Sequence, residues 1–141
     1  MADDGSDFAR SMSIATSGLR AQAGRMRVIS ENIANADSTA PTSAGDPYRR
    51  KVPTFSSALD RTIDAKVVTL GKVRTDPSAF RIKHEPSNPA ADAAGNVKYP
   101  NVNSVVEMTD MRQAQRSYEA NLNIISATRR MIQRTLDILK A

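Results

Sequence analysis

The sequence predicts a mainly α protein with a small β-rich insert: long N- and C-terminal helices form a coiled-coil base, and a short irregular/β segment lies between them. Three observations predict this. All seven prolines lie between Pro41 and Pro100, so helices can run unbroken only at the two ends. Apolar residues at each end recur at gaps of three and four. The middle carries short alternating runs separated by Pro, Gly, Asn and Asp. The expected organisation is an N-terminal assembly helix at 1–36, a Pro-rich loop and small β insert at 37–103, and a C-terminal assembly helix at 104–141.

The first helix rests on a sustained heptad. Phe8, Met12, Ala15, Leu19, Gln22, Met26, Ile29, Ile33 and Ala36 follow one another at three- and four-residue steps, and Ile14, Ala21 and Val28 widen the stripe. Spacing of 3.5 predicts a left-handed coiled-coil seam. Gly18 and Gly24 each cost about 1 kcal/mol inside a helix. They mark either close backbone approach by a neighbour or a helix that stays weak until something packs on it. The run from Asp37 to Pro41 ends it.

The middle reads as a loop over 37–51, a short helical or extended piece from Phe55 to Ile63, and strands at 66–74 and 80–85. Glu85–Pro89 and Ala93–Asn96 read as turns. The last helix opens after Pro100, with Ser104-Val105-Val106-Glu107 as a capping box. Its seam is Met108, Met111, Gln115, Tyr118, Leu122, Ile125, Arg129, Ile132, Leu136 and Leu139, with Ile124, Met131 and Ile138 alongside. At 1.5 Å per residue the ends reach about 40 and 50 Å, more than a small globule needs.

Composition excludes several function classes. With three Phe, three Tyr and no Trp, burial must rest on aliphatic residues, Met and Ala. Absence of Cys removes disulfides, thiolate catalysis and Cys-ligated metals. Net charge is +5, but acids and bases are mixed along the chain and basic clusters are short, so nucleic-acid binding is not expected. No window approaches the ~18 apolar residues that span a bilayer, so no direct membrane insertion is expected. The first twenty residues lack an apolar core, so no cleavable secretory signal is expected.

No nucleophile–base pair, phosphate loop or metal-ligand cluster is present, and neither enzymatic activity nor a cofactor is expected. His84, the only histidine, sits between Lys83 and Glu85 as on the polar face of a strand. Gln22, Gln115 and Arg129 interrupt the seams, either fixing register or lying at a solvated edge. Asn32 and Asn35 either bond to a neighbouring backbone or belong to a fraying helix end. Tyr48, Arg49, Arg50 and Lys51 are candidate lateral contacts, with a solvated basic run as the simpler account. Periodicity leaves open whether the two ends pair with each other, as in a self-contained helical-hairpin adaptor or chaperone, or with other copies.

Residue strings go further. Ser17-Gly18-Leu19-Arg20-Ala21-Gln22, followed by Val28 through Ala36, resembles the N-terminal signature of flagellar rod and hook proteins. Val106 through Met111 and Arg116 through Asn121 resemble their C-terminal signature. Pro47 through Lys51, Gly95 through Asn103 and the short middle are similar to the proximal-rod branch of that family. The resemblance implies a structural rod subunit exported through the flagellar type III apparatus to the periplasmic basal body. Its partners would be other copies, other rod proteins and nearby inner-membrane ring and export-gate components. The seam residues Phe8, Met12, Leu19, Met26, Ile29, Asn32, Ile33, Asn35, Met108, Met111, Tyr118, Leu122, Ile125, Ile132, Leu136 and Leu139 would carry assembly and torque.

Overall fold

The computed structural model describes residues 4–140. Two helices at the ends flank short antiparallel strands, and about half of the chain is helical. Helix α1 spans Asp4–Ala34 and helix α2 spans Ser104–Lys140. Between them lie β1 (Lys51–Val52), β2 (Phe55–Asp60), β3 (Ala65–Leu70), β4 (Arg74–Thr75), β5 (Arg81–His84) and β6 (Asn96–Tyr99).

Local chemistry sets the helix boundaries. At the end of α1 the backbone N–H and the side-chain amide of Asn35 both donate to the Glu31 carbonyl, at 3.1 and 2.9 Å, closing the last turn. At the start of α2 the expected capping box is not what forms. Asn103 is the cap: its Oδ1 accepts from the N–H groups of Val105 at 3.0 Å and Val106 at 3.4 Å. Glu107, expected to reach back to Ser104, is 1% exposed and turned inward.

The strands form three separate two-stranded ladders. β2 pairs with β3 from Phe55↔Leu70 to Asp60↔Ala65, so the segment open between helix and strand in the sequence is a strand. Asp60 Oδ1 accepts from Thr62 N–H in its turn, and Asp64 takes a φ of 47°, which a short polar side chain tolerates. β1 pairs with β4 over two residues. β5 pairs with β6 across a turn closed by Gly95 at φ 77°, and β6 is a strand the sequence did not signal.

The chain forms two compact units, each built from separated stretches. The first comprises residues up to Met26, Thr54–Lys72 and Gln113 onward. In it the buried side chains are small: Ala15, Ala21, Ala114 and Thr128. The second comprises Arg27–Pro53 and Val73–Arg112. Its core gathers Ala90, Val97 and Tyr99, and it also buries Val28, Ile29 and Val102.

Candidate assembly surface

In the first unit α1 and α2 run antiparallel, with Gly18 against Asn121 and Arg25 bonded to Gln113 at 3.2 Å. A Cβ built on Gly18 would lie 2.8 Å from Asn121 Nδ2, closer than real contacts allow. A Cβ on Gly24 would lie 2.6 Å from Leu70 Cδ2. Each glycine therefore makes room for a side chain, Asn121 of α2 at Gly18 and Leu70 of β3 at Gly24, and neither meets a neighbour's backbone. The hairpin is tied to α1 again where Val68 N–H meets Ser17 Oγ at 3.3 Å and Arg10 Nε donates to the Ile63 carbonyl at 2.8 Å.

The inward face of α2 in this unit runs through Ala114, Tyr118, Asn121, Ile125, Thr128 and Ile132, all buried or half-buried. Small residues occupy the positions one step before Gln115, Leu122 and Arg129, which are exposed. On α1, Phe8, Met12, Leu19 and Met26 are half-buried. Gln22 is also half-buried, and its Oε1 is sealed from water with no hydrogen-bond partner among the described residues. Gln115 and Arg129 thus lie at a solvated edge whereas Gln22 does not.

A second apolar stripe stays open. Ile124, Met131 and Ile138 are 48%, 48% and 76% exposed. Each precedes a seam position, Ile125, Ile132 or Leu139, and so lies about 100° round the helix from the face on α1. Leu136 and Leu139, at the end of the seam, are also exposed.

The second unit is organised by one amide. Asn32 is fully buried, and all four of its hydrogen-bonding positions are filled. Nδ2 donates to the Lys51 carbonyl at 2.8 Å and to Glu107 Oε2 at 3.0 Å. Oδ1 accepts from Tyr48 Oη at 2.8 Å and from Lys51 N–H at 2.9 Å. Glu107 Oε1 in turn takes Arg50 Nε at 2.6 Å, and Asp76 lies 3.5 Å from the same guanidinium. Lys51 Nζ pairs with Glu31. Arg49 donates to the carbonyls of Asp76 and Ser78 and lies 4.2 Å over the Phe80 ring. The polar groups of Tyr48, Arg49, Arg50 and Lys51 are thus bonded within the chain. Of the remaining seam residues, Ile29 is buried, Ile33, Asn35 and Met111 are half-buried, and Met108 is 49% exposed.

Electrostatics follow from this packing. Burial, reinforced by the charges of Glu31 and Glu107, pushes the Tyr48 phenol up to about 12. Burial pulls the Arg50 guanidinium down, but its bond to Glu107 and the charge of Asp76 outweigh that and raise it overall. Ser78, through its backbone and side chain, and then Arg50 hold Asp76 below the usual carboxylate range. Tyr99 Oη at 2.8 Å and Asn88 Nδ2 at 3.3 Å do the same for Glu85.

His84 is exposed on β5, with Nδ1 3.4 Å from Asn96 Oδ1. Among the described residues no three His, Asp or Glu side chains are placed to hold a metal. No described helix is long and apolar enough to cross a membrane. The residues that sequence reasoning missed are Glu107 as a buried anchor and Asn101, whose Oδ1 accepts from Arg50 N–H at 2.8 Å. The signal for Glu107 was its spacing from Ser104, which pointed to a cap.

Comparison with known proteins matches the same two ends. A model described as "Flagella basal body rod protein" matches residues 12–40, and one described as "Flagellar basal body rod FlgEFG protein C-terminal" matches residues 93–138. The flagellar basal-body rod protein FlgC of Agrobacterium fabrum is 52% identical over 91% of this chain and 92% of its own length. That of Aquifex aeolicus is 38% identical over 95% of this chain and 98% of its own. That of Bacillus subtilis is 36% identical over 92% of this chain and 97% of its own.

Proposed function

The chain belongs to the FlgC family of flagellar basal-body rod proteins, and on that premise we propose how its two helices build the rod. It is a structural subunit of the basal body, not an enzyme, and assembles with other rod proteins. The proposal concerns the faces. α1 and α2 pair within one subunit through small residues, and the apolar side chains left outside this pair carry contacts between subunits. Ile124, Met131 and Ile138 are the observation behind this reading: three aliphatic residues at seven-residue spacing, none covered.

Burial of such stripes against neighbours stabilises the assembly by roughly 25 cal/mol per Å². Torque transmission follows from mechanics: contacts distributed along two long helices spread shear across many subunits. The seam residues at the end of α2, Leu136 and Leu139, belong to this outer set. Export in unfolded form through the flagellar apparatus, placement in the periplasmic rod and contact with the ring and export gate complete the proposal. An adaptor built as a helical hairpin would show the same pairing of α1 with α2, but would have no use for a second long apolar stripe.

Met131→Glu tests the reading, because it places a charge on the open stripe without touching the inward face. Expected are an unchanged circular dichroism spectrum and melting curve, together with loss of motility and of the subunit from purified basal bodies. Full motility would count against the stripe as an assembly surface.

A further inference from the structure

In the first unit an open groove of about 500 Å³ is lined by α1 and β3, which meet in it where Val68 N–H donates to Ser17 Oγ. Met12, Thr16 and Arg20 form its helical wall, Val67 and Leu70 its strand wall, and Asp60 its end. We propose that this groove receives the last turn of α2 from a second copy of the chain, an inference that rests on the rod reading and gives it a specific contact.

The occupant follows from three features. The last turn of α2 is apolar and exposed, with Leu136 45%, Ile138 76% and Leu139 77% exposed. It cannot reach the groove of its own chain. Gly18, at the level of the groove, faces Asn121, and Ile138 lies seventeen residues further along the same helix. At 1.5 Å per residue that is about 25 Å away along the axis. The charges also match. The groove offers exposed Arg20 on one wall and Asp60 at its end, and the last turn carries Asp137 and Lys140, both exposed. Asp137 accepts from Gln133 Nε2 at 2.9 Å within its own helix, a bond that leaves its negative charge in place.

The contact joins two different surfaces of one chain, so it is heterologous, and a displacement along the axis at each step keeps it from closing into a ring. Each copy seated this way is displaced about 25 Å along the helix axis from the one that holds it. A string of staggered copies is the expected product.

Because the chain has no cysteine, thiols introduced into it are its only ones. Ser13, on the helical wall of the groove, is replaced in S13C together with I138C, and basal bodies are purified from cells making this chain, oxidised and separated without reductant. A covalent dimer of the chain is expected, and none from S13C alone or I138C alone. R20E added to the pair should lower the dimer yield about fivefold or more, and D137R added to that should restore it. Chain present in the basal bodies without a dimer overturns the docking and leaves the rod role standing. A link to a different rod protein overturns the second copy as occupant. Absence of the unmutated chain from basal bodies of flagellated cells overturns the rod reading, and the docking with it.

Discussion

Asn32 and Glu107 meet at 3.0 Å between α1 and α2 of the second unit, and neither is more than 1% exposed. The amide donates to one carboxylate oxygen while Arg50 takes the other at 2.6 Å, so a buried charge is both paired and hydrogen-bonded. Removing Glu107 takes from Arg50 its nearest carboxylate and from Asn32 one of the two acceptors of its amide group.

Glu107→Ala is therefore expected to destabilise the protein by about 3 kcal/mol or more, read as a lower urea midpoint. Glu107→Gln keeps an acceptor for Asn32 and should cost less, about 1–2 kcal/mol. The double variant Arg50→Met with Glu107→Leu should recover part of the loss. A double variant no better than Glu107→Ala would argue that the pair is not the source of the effect.

Gly18→Ala sets helix propensity against space. Ala gains about 1 kcal/mol in a helix interior. Its Cβ would displace the Asn121 amide, which donates to the Ser117 carbonyl at 3.0 Å. The expected net change in thermal stability is near zero or negative. With Asn121→Ala beside it, the same substitution should become stabilising, and the cycle should show coupling of about 1 kcal/mol.

Acid unfolding should report the two depressed carboxylates. Asp76 and Glu85 lie below the usual range when folded, because Ser78 and Tyr99 respectively hydrogen-bond the charged form. Their contribution to stability is present above the unfolded carboxylate pKa and is lost as pH falls through the folded values. The urea midpoint should thus hold steady to about pH 5 and decline below about pH 4. Tyr99→Phe should shallow that decline and move the Glu85 resonance midpoint upward in an NMR titration.

At alkaline pH the sign reverses. The Tyr48 phenol stands at about 12 when folded, chiefly because it is buried. Its contribution is complete below the ordinary tyrosine value near 10 and is lost as pH rises towards 12. Phenolate absorbance should show a late rise that Tyr48→Phe reduces, leaving the part that belongs to Tyr99, whose phenol is raised by its hydrogen bond to Glu85. A late rise unchanged in that variant would assign it to Tyr99 alone.

Both helices and strands β3 and β5 are legible because their signals are local: proline placement, the three-and-four spacing and alternation, although the run expected over 66–74 ends at Leu70. The inward face of α2 is less so. Periodicity selects large apolar residues such as Leu122, whereas the pair with α1 closes on Ala114, Asn121 and Thr128, one position earlier. Close helix approach favours small side chains, and a pattern of hydrophobicity does not weigh them. Glu107 misleads for a related reason: a Ser-x-x-Glu string fits a cap, and only distant Asn32 and Arg50 turn it inward. Strand β6 escapes because its pairing depends on Gly95 reversing the chain beside β5.

The partners that hold the helices together lie far apart along the chain: 75 residues from Asn32 to Glu107, and 88 from Arg25 to Gln113. A ribosome or a transport channel delivers residues in order, so neither contact can exist until most of the chain has emerged. Loop closure over such spans is slow compared with helix formation. The N-terminal third therefore spends its earliest moments without the surface it was shaped to meet, and its native state begins only when the last segment arrives.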